Sequence, residues 1–252
     1  MRTPIIAGNW KLHKTISEGR ELVKKLKEDL ADISDREIII APVFTSLAPL
    51  AVELAGSNIQ LAAQNCHPAE SGAFTGEVST LFLKDAGCTS VIVGHSERRQ
   101  LFGETDAFIN AKIKAVLAAG MQAIFCIGET LAERESGEMF DVLTRQVREG
   151  LSGLDSTAMS NVIIAYEPVW AIGTGKVASV DEAQDAHVFI RGLISGLFVG
   201  KIEEQMRILY GGSVKPENID GLMAQEDIDG VLVGGASLKA DDFIRIVRFT
   251  RL

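Results

Sequence analysis

Cysteine, tryptophan and tyrosine are all scarce in this chain of 252 residues: there are three Cys, two Trp and two Tyr. Cys66, Cys88 and Cys126 are widely spaced and form no Cys-x-x-Cys pair, which excludes a disulfide scaffold and a zinc ribbon and points to reduced thiols. Basic residues are outnumbered, with 25 Lys and Arg against 34 Asp and Glu. The resulting formal charge of −9 argues against nucleic acid as a main partner. A small anion stays compatible, because salt screens charges beyond ~8–10 Å and a phosphate responds mainly to its neighbours. No apolar run reaches the ~18–20 residues of a membrane span. The longest, from Ala115 to Gly128, is broken by Gly120 and Gln122. Near the start only Pro4 to Ala7 is continuously apolar, too short for a secretory signal, so the expectation is a cytoplasmic protein without membrane contact.

Hydrophobic residues at 46% and charged residues at 23% are ordinary for a globular protein. Short β-branched runs recur at Pro4–Gly8, Glu37–Ala41, Ile59–Ala63, Ser90–Gly94, Gln122–Ile127, Val162–Tyr166, Arg207–Gly211 and Gly230–Gly234. Most are apolar throughout rather than alternating, as strands buried on both faces by helices are. Thr15 with Glu18 and Ser179 with Glu182 fit capping boxes, and they open expected helices over Ile16–Ala31 and from Ser179 to near Phe198. Eight units in 252 residues average about 31 residues each, close to a strand plus its crossover helix. The expectation is an α/β chain forming one closed (β/α)8 barrel over residues 1–252, with an open doubly wound sheet as the competing layout. No linker, repeat or low-complexity segment marks an internal boundary.

The scarce aromatics fall together: Trp10, Tyr166, Trp170 and Tyr210 lie at or just beyond the ends of the first, sixth and seventh runs. In parallel α/β folds that carboxyl edge is where ligands bind. Asn9, Lys11, His95, Glu97, Glu167, Ser213, Gly234 and Gly235 follow strands on the same edge. Pro168 biases Glu167 towards an extended backbone, which aims its carboxylate at the barrel axis. The segment Pro168–Lys176 carries four apolar residues and then Gly173-Thr174-Gly175, the composition of a lid that closes over a ligand and excludes water. His95 precedes Ser96-Glu97-Arg98-Arg99, a helix start, and the positive end of that helix is expected to lower its pKa and favour a neutral, donating ring. His13, His67 and His187 show no such arrangement and read as structural or surface residues. The Gly173–Ala178 pattern fails as a dinucleotide fingerprint because it follows a loop, and Gly175-Lys176 lacks the spacing of a phosphate-binding P-loop. Gly211-Gly212-Ser213 and Gly234-Gly235 directly follow strands, where barrels bind phosphate through exposed backbone N–H groups.

On these residues the chain resembles the triosephosphate isomerase family, the archetype of the TIM barrel. The matching segments are Gly8–Lys11, Gly94–Arg99, Cys126–Glu129, Ala165–Gly175, Tyr210–Val214 and Val233–Leu238. The resemblance implies an isomerase of glycolysis and gluconeogenesis that interconverts dihydroxyacetone phosphate and glyceraldehyde 3-phosphate with no cofactor and no metal. It implies Glu167 as the base, neutral His95 as the electrophile, and Lys11 and Asn9 as donors to the substrate oxygens. Glu97 is implied to organise Lys11 and His95, while Gly173, Ser213, Gly234 and Gly235 are implied to grip the phosphate. It also implies a homodimer formed through the Gln64–Ser79 connection around Phe74 and Thr75. Two rivals remain: another phosphate-binding barrel enzyme, which predicts a different base, and a barrel without catalysis, which predicts loss of Lys11, His95 or Glu167.

Overall fold

The computed structural model describes residues 2–171 and 178–251. Its strands are β1 (Ile5–Asn9), β2 (Glu37–Ala41), β3 (Ile59–Ala63), β4 (Ser90–Val93), β5 (Gln122–Ile127), β6 (Val162–Tyr166), β7 (Ile208–Tyr210) and β8 (Gly230–Val233). They pair in parallel in sequence order, and β8 returns to β1, so the sheet closes and the open layout is excluded. The ring is not uniform. β5 and β6 share five registered pairs, whereas β7 and β8 share only Tyr210 with Val231. There the backbone N–H of Ile208 donates to the Asp229 carboxylate at 2.9 Å, and the Asp229 N–H donates to the Ile208 carbonyl, also at 2.9 Å.

Residue alternation along the strands divides the core in two. Ile5 and Ala7 on β1, Ile124 and Cys126 on β5, and Ile163 and Ala165 on β6 belong to a cluster that fills the barrel. Their neighbours Ile6, Phe125, Ile164, Tyr166 and Tyr210 belong to the larger cluster packed under the helices. Each buried Ile or Leu side chain contributes roughly 1.5–3 kcal/mol relative to an exposed one. The same alternation positions the functional edge. Two residues beyond Ala7 stands Asn9, two beyond Ala165 stands Glu167, and two beyond Leu209 and Leu232 stand Gly211 and Gly234.

The helix Ile16–Asp29 starts at Thr15 and the helix Val180–Leu197 at Ser179, each through a complete capping box. The first ends two residues before the expected Ala31, where the Leu30 N–H closes back on Leu26. A third box, Thr130 with Glu133, opens the short helix Leu131–Glu135 beside the functional edge.

Candidate active site

Beyond the carboxyl ends of the strands lies a cavity of about 480 Å³. Asn9, Lys11, His95 and Glu167 line one side of it; Gly211, Gly212, Ser213, Gly234 and Gly235 line another. The structure therefore brings together seven of the nine sequence-expected site residues, with Gly211 and Gly212 after β7 beside them, and it places Glu97 against Lys11 rather than on the cavity wall. Gly173, with residues 172–176 of the expected lid segment, lies outside the described residues. Among the described residues no cluster of three or more His, Cys, Asp or Glu side chains is arranged to hold a metal ion.

Glu167 is fully enclosed, and its backbone is fixed before its side chain is. Its N–H donates to the Ile127 carbonyl at 2.7 Å, and two residues on the Val169 N–H donates to Glu129. This crossing passes so close to Gly128 that a Cβ there would lie 1.7 Å from the Glu167 carbonyl oxygen. Gln146 holds Gly128 from behind, accepting from its N–H at 2.8 Å and donating to its carbonyl at 3.1 Å. The Glu167 carboxylate accepts the Ser96 backbone N–H at 3.0 Å and lies 2.9 Å from Nε2 of His95. Burial alone would raise its pKa, but His95, the Ser96 N–H and Lys11 together hold it below the usual carboxylate value.

His95 is the N-cap of the helix Ser96–Phe102, as expected, and its Nδ1 accepts the Glu97 backbone N–H at 3.2 Å. A ring that accepts at Nδ1 carries its proton on Nε2, facing Glu167. The expected lowering of its pKa is corrected by the structure. Burial does disfavour the charged ring, but the Glu167 carboxylate, by charge and hydrogen bond, outweighs it and raises the pKa above the ordinary value. The helix start thus sets the tautomer, while the neighbouring carboxylate sets the direction of the shift.

Lys11 continues the inward parity of β1, yet its φ of 52° is left-handed, a conformation that costs of order 1–3 kcal/mol for a residue with a side chain. Three contacts hold it there. Its N–H donates to the Asn9 side-chain oxygen at 3.1 Å, its carbonyl accepts from Gln64 at 2.8 Å, and its ammonium donates to Glu97 at 2.7 Å.

The four rim aromatics act differently from their sequence expectation: none of them lines the cavity. Trp10, Tyr166, Trp170 and Tyr210 are buried beneath it. Glu129, itself enclosed, accepts from the Tyr166 hydroxyl at 3.1 Å and from the Trp170 indole at 2.8 Å, and so anchors the turn Val169–Ala171 that leaves Glu167. Sequence reasoning gave no role to Gly128, Glu129, Gln146 or Gln64. The Cys126–Glu129 segment carried a signal for two of them, a glycine and an acid directly after an apolar strand; the two glutamines carried none.

One wall thus offers a carboxylate beside an imidazole N–H and an ammonium, and the other offers glycine turns open to an anion. That combination suits removal of a proton next to a carbonyl, with the developing oxyanion met by fixed donors and a phosphate held at the far end. Residues 4–250 match the model of a family described as triosephosphate isomerase. A protein of that name from Syntrophotalea carbinolica is 65% identical over 249 residues, covering 99% of both chains. One from Geotalea uraniireducens is 60% identical over 250 residues, covering 99% of this chain and 100% of the relative. One from Chloroflexus aurantiacus is 53% identical over 249 residues, with the same coverage.

Proposed function

The chain belongs to the triosephosphate isomerase family, and from that premise we propose which residues of the rim perform each step of the family's reaction. The family interconverts dihydroxyacetone phosphate and glyceraldehyde 3-phosphate, an intramolecular aldose–ketose isomerisation in glycolysis. The same reversible step serves gluconeogenesis.

Glu167 takes the proton from the carbon next to the carbonyl, and the electron pair of that C–H bond forms the enediolate double bond while the carbonyl oxygen takes up the charge. The Nε2–H of His95 and the Lys11 ammonium meet that charge, Asn9 donates to the substrate oxygens, and protons pass between the two oxygens through His95. Glu167 then returns its proton to the neighbouring carbon. Glu97 positions Lys11. Gly173, Ser213, Gly234 and Gly235 hold the phosphate, with backbone N–H groups that no side chain blocks. Because the carboxylate in this structure is committed to His95 and the Ser96 N–H, it must release both to reach a substrate carbon.

The observation that carries this reading is the 2.9 Å approach of the Glu167 carboxylate to the His95 Nε2 on the wall that also presents Lys11. A coupled assay of glyceraldehyde 3-phosphate turnover tests it. Glu167→Gln is expected to lower kcat by roughly 10²–10⁴-fold and to leave KM within severalfold. A variant that keeps a tenth of the wild-type kcat would sink the role of Glu167.

The Gln64–Ser79 connection supports a homodimer. Phe74, Phe82 and Phe102 are exposed, and Phe74 stacks at 4.1 Å on His67, beside the cavity formed by His67, Arg98 and Phe108. An apolar patch rimmed by charge is the usual mark of a protein interface. In this reading the segment around Phe74 and Thr75 inserts into a second copy, and Thr75 approaches the candidate active site of that copy. Among the described residues no helix is long and apolar enough to cross a membrane, and the acidic composition and reduced thiols support a cytoplasmic location without a nucleic-acid partner.

A further inference from the structure

His187 lies in the middle of the helix Val180–Leu197, and none of its surface is exposed. Its ring meets Tyr166 edge-on at 6.0 Å and Tyr210 at 6.5 Å between centroids. Nδ1 lies 3.1 Å from the Asp227 carbonyl oxygen. A carbonyl can only accept, so the ring proton sits on Nδ1. Arg191 donates to the same carbonyl at 2.9 Å, and Gln184 accepts the Asp227 N–H at 3.2 Å, so the carbonyl that orients the ring is itself fixed. Nε2 is then a bare lone pair in the core. Among the described residues it has no hydrogen-bond donor, and the buried hydroxyl of Tyr210, which the Ser213 backbone N–H approaches, has no acceptor for its own proton.

The unmet lone pair and the unmet proton are complementary. Burial pushes the Tyr210 hydroxyl up to about 12 and the His187 ring down to about 3, so near neutral pH one keeps a proton to give and the other a lone pair to receive it. Leaving both unsatisfied costs ~1–3 kcal/mol for each group. A single enclosed water needs two or more polar partners, and these two supply them. The position of the hydroxyl gives the contact a consequence. A Cβ on Gly212 would lie 2.2 Å from it, so the oxygen presses directly beneath the turn Gly211-Gly212-Ser213.

We propose that His187 is a positioning residue, whose Nε2 accepts from one buried water that in turn accepts the Tyr210 hydroxyl proton, a link that fixes the ring supporting the Gly211–Ser213 turn. The link joins the helix that follows the lid to the anion-facing edge of β7. Its effect on phosphate rests on the reading of that turn as part of the phosphate site; the hydrogen-bond link does not.

Nitrogen NMR of the full-length protein labelled in histidine tests the link without any ligand. The His187 Nδ1 is expected to be protonated and Nε2 unprotonated, and Tyr210→Phe is expected to move the Nε2 resonance towards that of a free acceptor. A protonated Nε2, or a resonance that Tyr210→Phe leaves in place, would overturn the proposal. Titration with inorganic phosphate tests the consequence. His187→Leu is expected to weaken binding roughly 3- to 10-fold, the scale of one hydrogen bond, and His187→Gln, which restores an acceptor, to recover most of it. Equal phosphate affinity in wild type, Leu and Gln variants would reduce His187 to packing and overturn its positioning role. Failure of the wild type to bind phosphate would strike the functional reading instead, and the NMR result would still decide the link.

Discussion

Burial makes His187 a source of acid sensitivity. Its folded pKa of about 3 lies well below the ~6.5 of an unfolded histidine, so between these values the unfolded chain binds a proton that the folded chain refuses. The stabilisation is complete above about pH 6.5 and is lost by about 1.4 kcal/mol per pH unit as the pH falls towards 3. His187→Gln is expected to flatten that slope, measured by urea unfolding at pH 7 and pH 5. Identical slopes in wild type and variant would show that the histidine is not held neutral. At this same scale the sequence was most legible where chemistry needs a rare residue in a particular place. Glu167, His95 and Lys11 stood out because polar groups follow apolar strands there. The residues that hold them did not stand out. Gln64 and Gln146 act through backbone atoms distant in sequence, at 53 and 18 positions' separation from Lys11 and Gly128, and nothing in their neighbourhood announces such a partner.

Elements were readable to within a residue or two because their signals are local. Capping boxes place helix starts at Thr15 and Ser179, and β-branched runs place the strands. The pKa direction of His95 was misread for the opposite reason: the helix start is local, but the carboxylate that overrides it arrives from β6, 72 positions away as 167 minus 95 counts it. The crossing of the β5 and β6 ends is likewise invisible until the strands are paired, and it has a sharp requirement. Gly128→Ala would push a methyl group against the Glu167 carbonyl. Displacing a catalytic group by about 1 Å can cost on the order of 10²-fold in rate. We expect a kcat loss of that scale in a variant that still folds, read by the coupled assay together with a thermal melt. A kcat within threefold of wild type would show that this backbone clasp does not set the position of Glu167, the proposed base.

At the scale of the whole molecule, the repeat length indicated one barrel, but closure could only be seen in the pairing of β8 with β1. The exposed phenylalanines around the Gln64–Ser79 connection make a further prediction about assembly. Sedimentation at micromolar concentration is expected to give twice the 27.1 kDa of one chain, and a mass near the single-chain value would refute the dimer. Stability at this scale also depends on Asp229, whose carboxylate joins Arg2, Arg191 and the Ile208 N–H. Asp229→Ala leaves two arginines and a backbone donor without that partner and is expected to destabilise the fold by roughly 3–5 kcal/mol in denaturant titration. A loss below 1 kcal/mol would show that the arginines find other partners at little cost.

A closed ring of strands has no edge, but it can have a clasp. Here the joint between β7 and β8 relies on one registered pair supplemented by the side chain of Asp229. If thermal breathing parts the hoop, it parts there first, at the strands whose outer ends carry the glycines that line the cavity. Amide hydrogen exchange would then be faster along β7 and β8 than along β5 and β6, and a tightly held phosphate would act as a rivet across the joint, slowing that exchange from the far end of the barrel.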